Sequence, residues 1–287
     1  MPSLIDLRRR IRAVRNMQQI TNAMKMISAA RLRRAQDRVI AARPYAHMLR
    51  RFLENVAAAA ANTEEMAVNP LLAQRPENRI ELLVITADRG LAGAFSSNVI
   101  KAAQKFIAEH RGAQVELELI GRKGRDFFRR RQARISGEHV GLFLRTVQYE
   151  QALAIARKAM QRFIDGEIDA VYVIGNEFKS IATQVMSVNR LLPVEAPQSG
   201  ERINYIYEQP PSEILQELLP RYVEMSVYRA MLESAAAEHA ARMTAMDAAS
   251  SNAGEMIDTL TLHLNRVRQA SITKEIIEIV SGAAALG

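Results

Sequence analysis

A chain of 287 residues that is 48% hydrophobic and 24% charged can hold one good core and something more, and no apolar run approaches the roughly 18 residues that a membrane-spanning helix needs. The absence of cysteine excludes disulfides and thiolate metal ligands and fits a reducing compartment. The net charge of +8 is unevenly placed: the first 51 residues hold thirteen Arg or Lys against Asp6 and Asp37, so the basic character belongs to that element and the remainder is slightly acidic.

From the start, Leu4, Leu7, Ile11 and Val14, then Met17, Ile20, Met24 and Ile27, then Leu32, Ala35 and Val39 recur at intervals of three and four. The pattern predicts a long amphipathic helix, with skips near 14 to 17 and 27 to 32 that break a strict heptad. Pro44 lacks an amide donor and is expected to kink the helix near Ala42 or Arg43, after which residues 48 to 61 resume it. Asn69-Pro70 and Arg75-Pro76 mark the exit loop. An Arg-rich, acid-poor amphipathic start also describes an organelle transit peptide, but the periodicity runs past residue 40 without a cleavage-like break.

At about residue 79 the period changes. Residues 80–86 read as a buried strand, followed by the turn Asp88-Arg89-Gly90-Leu91-Ala92-Gly93 and a helix to His110 that Ser96 is placed to cap. Residues 115–120 form a second strand, and Gly121-Arg122-Lys123-Gly124 opens a short helix over Phe127 and Phe128. A helix over 148–164 and strands over 170–174 and 184–192 follow, before a loop with Pro193, Pro197, Pro210 and Pro211. Such alternation predicts a parallel sheet with helices on its faces. The Gly90 to Gly93 turn sits where a phosphate loop would, yet neither G-x-G-x-x-G nor G-x-x-x-x-G-K-[ST] occurs, and His47, His110, His139, His239 and His263 show no metal-ligand spacing. No catalytic site, metal or cofactor is expected.

In the last part, positions 232, 236, 239, 243, 246, 250, 253, 257, 260, 264, 267 and 271 alternate in steps of four and three, which is the seam of a coiled coil. Pro220 is the last proline and Gly254 the only glycine between it and Gly282, predicting one helix of roughly 60 residues, about 90 Å long. The fold class is therefore α/β with a long coiled coil: residues 1–64 and 212–287 form an antiparallel two-helix shaft, and residues 78–208 an inserted Rossmann-like foot domain of about five mostly parallel strands. The C-terminal helix outruns its partner. Its tip carries Ile276, Ile277, Ile279, Val280 and Leu286, too apolar to stand bare in water.

The run Ile272-Thr273-x-Glu275-x-x-Glu278-x-x-x-Gly282-Ala283-x-Ala285, preceded by Arg268-Gln269-Ala270, resembles the C-terminal signature of the gamma subunit of F-type ATP synthase. Ile11-Arg12-x-Val14-x-Asn16-x-Gln18-x-Ile20-Thr21-x-Ala23-Met24-x-Met26, the loop Asp88-Arg89-Gly90-Leu91, and Ala241-Arg242-Met243-x-Ala245-Met246 resemble the same family, from end to end and in order. The resemblance implies a non-catalytic central rotor, coupling proton flow through a membrane ring to ATP synthesis and hydrolysis. It implies partners as well: a ring of three alpha and three beta subunits around the coiled coil, with epsilon and the c-subunit ring at the foot. Membrane contact would be indirect, through the c ring, and the location peripheral on the cytoplasmic face of a bacterial inner membrane. Partner contacts are implied at Arg268, Gln269, Thr273, Glu275, Arg242, Met24, Arg33, Arg34, Ile276 and Val280.

The competing reading is a basic coiled-coil protein that binds nucleic acid through phosphate contacts. Against it, no aromatic residue among the first 44 is available to stack a base, and Arg8, Arg9, Arg10, Arg12, Arg15, Arg31, Arg33, Arg34 and Arg38 are spread around the helix instead of forming one stripe. On the rotor reading, nucleic acid is no partner.

Overall fold

The computed structural model of the protein describes residues 3–60, 69–181, 183–195 and 208–286. The ends of the expected domains at 61–64 and 196–207, Pro197, and the side chain of Leu286 lie outside the described residues. The chain divides into two compact units, Ala29–Arg242 and Met1–Ser28 with Met243–Gly287.

Two helices run through both units. α1 covers Leu4–Ala60 and α5 covers Pro211–Leu286, 76 residues instead of the expected sixty. Neither Pro44 nor Pro220 interrupts its helix, so α1 runs continuously through Pro44 instead of resuming at residue 48. A proline inside a helix costs about 3 kcal/mol. Burial on either side offsets that cost: Leu49, Leu53 and Val56 follow Pro44, and Leu215, Leu219 and Val223 flank Pro220, all buried.

The unit Ala29–Arg242 is built on one sheet of five strands in the order β3-β2-β1-β4-β5. β1 (Arg79–Ile85), β2 (Gln114–Ile120), β3 (Ile135–His139) and β4 (Ala170–Phe178) are parallel, and β5 (Gln184–Leu192) is antiparallel to β4. The crossovers are α2 (Phe95–Glu109), α3 (Arg122–Arg129) and α4 (Tyr149–Ile164). Six of the seven residues of β1 are buried, as a central strand covered on both faces requires. Ile80, Leu82 and Val84 pack under Val99, Ala103 and Phe106 of α2. Sequence reading passed over β3, because Ile135-Ser-Gly-Glu-His139 has neither an apolar run nor alternation; it pairs with β2 and is half-buried. Ser96 does not cap α2: the N-cap is Ala94, and the Ser96 hydroxyl accepts instead from the Ala87 amide at 3.3 Å.

The polar residues on the other face of the sheet are paired. Glu81 and Glu116 meet the guanidinium of Arg162 from α4, and Glu118 accepts from Lys158 Nζ at 2.7 Å, from His139 Nε2 at 2.6 Å and from Ser136 Oγ at 2.9 Å. Burial works to raise the Glu118 carboxyl, but the hydrogen bonds from His139 and Lys158 outweigh it and hold the group at about 2. For Glu81 burial wins over Arg162, and its carboxyl is pushed up.

In the other unit, the start of α1 and the end of α5 lie side by side and antiparallel. Gln18 Nε2 donates to the Ser250 carbonyl at 3.4 Å and Lys25 Nζ meets Asp247 at 2.6 Å, so numbers rise along one helix as they fall along the other. The α5 seam stands where the spacing put it: from 253 to 271 the side chains drawn in from solvent are those at 253, 254, 257, 260, 264, 267 and 271. The α1 seam differs from expectation. Its inward positions are 4, 7, 11, 14, 18, 21, 24, 25 and 28, an unbroken heptad in which Gln18, Thr21 and Ser28 replace the expected Met17, Ile20 and Ile27. The hydroxyls of Thr21 and Ser28 donate to carbonyls of their own helix, Gln18 O at 3.0 Å and Met24 O at 2.8 Å, so small polar residues are buried without loss. No helix among the described residues is long and apolar enough to cross a membrane.

Candidate functional site

In a doubly wound sheet the ligand crevice opens at the carboxyl ends of the strands where the strand order reverses. Here the reversal falls between β1 and β4. The chain leaves β1 through Thr86, Ala87 and Asp88. Thr86 Oγ1 accepts from the Gly124 amide at 2.9 Å, tying the start of α3 to the end of β1. Gly121 opens α3 at φ 99, where an added Cβ would lie 2.0 Å from the Thr86 carbonyl oxygen, so only glycine makes this turn. Asp88 is buried, and its carboxylate collects three backbone amides: Arg122 at 3.0 Å, Gly141 at 2.8 Å and Phe143 at 3.0 Å. One side chain thus pins the start of α3 and the β3–α4 connection, and what it braces is the backbone of Arg89 and Gly90.

The crevice is filled by α5. On the face of α5 turned to the sheet, Glu224, Ser234, Glu238 and Arg242 are buried at helical spacing. Glu224 accepts from the Tyr149 hydroxyl at 2.9 Å and from Arg157 Nε at 3.1 Å. Ser234 Oγ accepts from the Asn176 amide of β4 at 3.3 Å. A Cβ at Gly175 would stand 2.8 Å from that hydroxyl, so the glycine permits the close approach of helix to strand. Arg242 then pairs with Glu238 and donates Nε to the Gly90 carbonyl at 3.3 Å. Two sequence stretches read separately, Asp88 to Leu91 and Ala241 to Met246, therefore meet at one guanidinium. Burial raises the Glu238 carboxyl against the pull of Arg242. Burial, with Arg242 and Arg31 nearby, lowers His239 to about 4, so it stays neutral. The arrangement clamps a helix.

A groove of about 230 Å³ beside this clamp is lined by Arg31, Arg34 and Arg38 of α1, by Arg145, and by His239. The arginines do not simply scatter: positions 31, 34 and 38 form a stripe.

The predicted contact residues fall into two places. Arg268, Gln269, Thr273, Glu275, Ile276 and Val280 are all exposed on α5, the Thr273 hydroxyl donating back to Gln269 O at 2.9 Å and Glu275 accepting from Ser271 Oγ at 3.2 Å. From 272 to 281 every side chain is exposed, and Ile276, Ile277, Ile279 and Val280 are 54%, 58%, 71% and 61% accessible. Arg33 and Arg34 are exposed and Met24 is half-buried. Arg242 differs from these: it is buried and bonded within its own unit, where a guanidinium drawn under the Gly90 loop finds its partners. Sequence reading also missed a set. Met17, Ile20, Met26 and Ile27 of α1, assigned partly to the seam, lie on the outer face at 56–67% exposure. Residues 122–134 hold seven Arg or Lys against Asp126, so the basic character is not confined to α1; a balance summed over everything after residue 51 hid it.

Comparison with known proteins matches residues 3–286 to the family described as ATP synthase. The chain is 65% identical over 285 residues to the ATP synthase gamma chain of Solibacter usitatus, covering 99% of both, and 50% identical over 291 residues to that of Anaeromyxobacter sp., covering all of both. Among solved structures, it resembles a chain of the Tetrahymena thermophila mitochondrial ATP synthase central stalk and c-ring, with TM-score 0.63 and 25% identity over 80% of this chain and 99% of that one. It shares the fold of a chain in the Euglena gracilis mitochondrial ATP synthase, with TM-score 0.67 and 15% identity over 99% of this chain and 94% of that one.

Proposed function

This chain belongs to the ATP synthase gamma-chain family, and from that premise we propose that it is the central-stalk rotor of an F-type ATP synthase, with no catalytic site or cofactor of its own. Its partners are the alpha and beta subunits of the catalytic head, epsilon, and the c-subunit ring. It acts peripherally, on the cytoplasmic face of a bacterial inner membrane, and couples proton flow to nucleotide chemistry. The observation that carries this reading is the outward apolar surface of the paired helices. Their seam is closed, yet Met17, Ile20, Met26 and Ile27 on α1, and Met256 and Leu262 on α5, remain 54–67% exposed. Apolar side chains that the fold leaves outside a finished seam call for an enclosing partner.

The mechanism is mechanical. A rod whose faces differ, turning inside a ring of like subunits, presents each catalytic site with a different surface in turn and so biases that site's conformational equilibrium. Apolar contact suits the sliding part, because it is non-directional. Torque also requires that the sheet unit grip α5, and the contacts at Ser234 and Arg242 supply that grip. Arg268, Gln269, Thr273 and Glu275 then serve as polar contacts to the head. The test is affinity purification of the tagged chain at low and high salt. Recovery of alpha, beta and epsilon subunits at both supports the rotor, and nuclease-sensitive partners in their place would restore the nucleic-acid reading.

A further inference from the structure

The strands of the sheet begin along one edge: Arg79 of β1 is level with Gln114 of β2, Ile80 with Ala170 of β4, and Leu117 with Ile135 of β3. α5 meets the opposite edge through Ser234 and Arg242, so the edge where strands begin lies away from the clamp. Charge on that edge is polarised. On the β1–β4–β5 side, cations and carboxylates neutralise each other: Arg79 with Asp169, Arg162 with Glu167, Arg190 with Glu77. On the β2–β3 side, the α2–β2 connection brings Arg111, and the end of α3 with the connection to β3 brings Arg129, Arg130, Arg131 and Arg134, all exposed. Of these only Arg129 is spent in an ion pair, with Glu138; Arg131 lies over the Phe127 ring at 3.8 Å. Arg111, Arg130 and Arg134 have no ion-pair partner among the described residues. Glu116, whose carboxyl also feels the charge of Arg134, is hydrogen-bonded by Arg162 and Gln114. Arg111 and Arg134 flank an open cleft of about 420 Å³ whose wall is Ile107, Ala113 and Val115, with His110 beside them.

Two unpaired guanidinium groups set against an apolar wall suit an amphipathic anion, one with phosphate at the head and hydrocarbon behind. Exposed arginines alongside suit a surface that carries many such anions. We propose that this rim docks on the anionic phospholipid headgroups of the membrane, with one phosphate seated between Arg111 and Arg134. The inference rests on the rotor reading, which stands the protein on a membrane ring, and it adds a direct lipid contact to the indirect one. Clusters of this size ordinarily give salt-sensitive attraction to an anionic leaflet.

The test is flotation of the full-length chain with vesicles of phosphatidylcholine alone and with phosphatidylglycerol added, at physiological salt. The variant Arg111→Gln/Arg130→Gln/Arg134→Gln should weaken phosphatidylglycerol-dependent binding by about tenfold or more. Arg8→Gln/Arg9→Gln/Arg10→Gln, which removes the same charge from α1, should weaken it far less. Equal losses in the two variants mean charge alone decides, and overturn the proposal; so does no loss at the rim. Displacement of the vesicles by soluble glycerol 3-phosphate would make the occupant a free phosphate, and loss of c-ring association by the rim variant in detergent without anionic lipid would make it a protein; either result overturns the proposal. The rotor reading is scored separately, by recovery of alpha and beta subunits with the parent chain, which these vesicles do not affect.

Discussion

Each side chain at the clamp solves one local problem. Asp88 answers three loop amides, and Gly175 makes room for Ser234. Gly175→Ala is expected to destabilise the sheet unit by about 1–3 kcal/mol, because the new methyl collides with the Ser234 hydroxyl, and Ser234→Gly in the same chain should recover part of the loss. Thermal unfolding of the three variants checks it, and additive losses in the double variant would refute the contact. His239 gives a pH prediction. Its folded value of about 4 lies below the ordinary 6.5, so between those values the unfolded chain binds the extra proton and stability falls as pH falls. That loss is about 1–3 kcal/mol, complete near pH 4 and absent above pH 7. Denaturant unfolding from pH 7 to 4 should show a shallower decline for His239→Gln than for the parent; parallel curves would mean the imidazole is not held neutral. At this scale the sequence marked Asp88 and Arg242 only by family resemblance. The meeting of Arg242 with Gly90 was not legible, since residues 152 apart in number carry no spacing signal.

The helices teach a different lesson about what hydrophobic periodicity reads. On α5 the seam and the apolar pattern coincide, so spacing located it. On α1 they part company between 17 and 28: apart from Met24 the seam is polar, while Met17, Ile20, Met26 and Ile27 face out. A search for apolar repeats then finds a mixture of two faces and reports skips that the helix does not have. Similarly, four strands were legible from apolar runs, and β3 was not, because its partner β2 and the bonds from Ser136 and His139 to Glu118 stabilise it instead of its own propensity. The seam is tested by a matched pair. Leu264→Asp puts a charge into the helix pair and should lower the stability of the free chain by about 1–3 kcal/mol, whereas Leu262→Asp, 62% exposed, should change it by less than about 0.5 kcal/mol. Calorimetry on both variants decides, and equal effects would displace the seam.

For the whole molecule, the lack of a long apolar run and of cysteine could exclude a membrane-spanning helix and disulfides, and the motifs pointed to a family, but neither identified which surfaces transmit force. On the proposed function that work divides in two: the sheet unit grips α5 through Ser234, Glu238 and Arg242, and the exposed end of α5 would engage the head. Arg268→Ala with Gln269→Ala is therefore expected to assemble yet couple poorly, with hydrogen bonds to charged groups worth about 1.5–3 kcal/mol each removed from the contact. ATP-driven proton pumping per ATP hydrolysed, compared in mutant and parent complexes, reads this directly; equal ratios would leave the two residues as ordinary surface. The central claim is that this chain turns. The most direct measurement fixes the head to a surface by its beta subunits, attaches a probe to the sheet unit at an exposed position such as Lys101→Cys, and follows the probe while ATP is hydrolysed. Sustained rotation in one direction, at a rate that follows ATP concentration, is expected. A head that hydrolyses ATP with this chain in place while the probe stays at a fixed angle would contradict it.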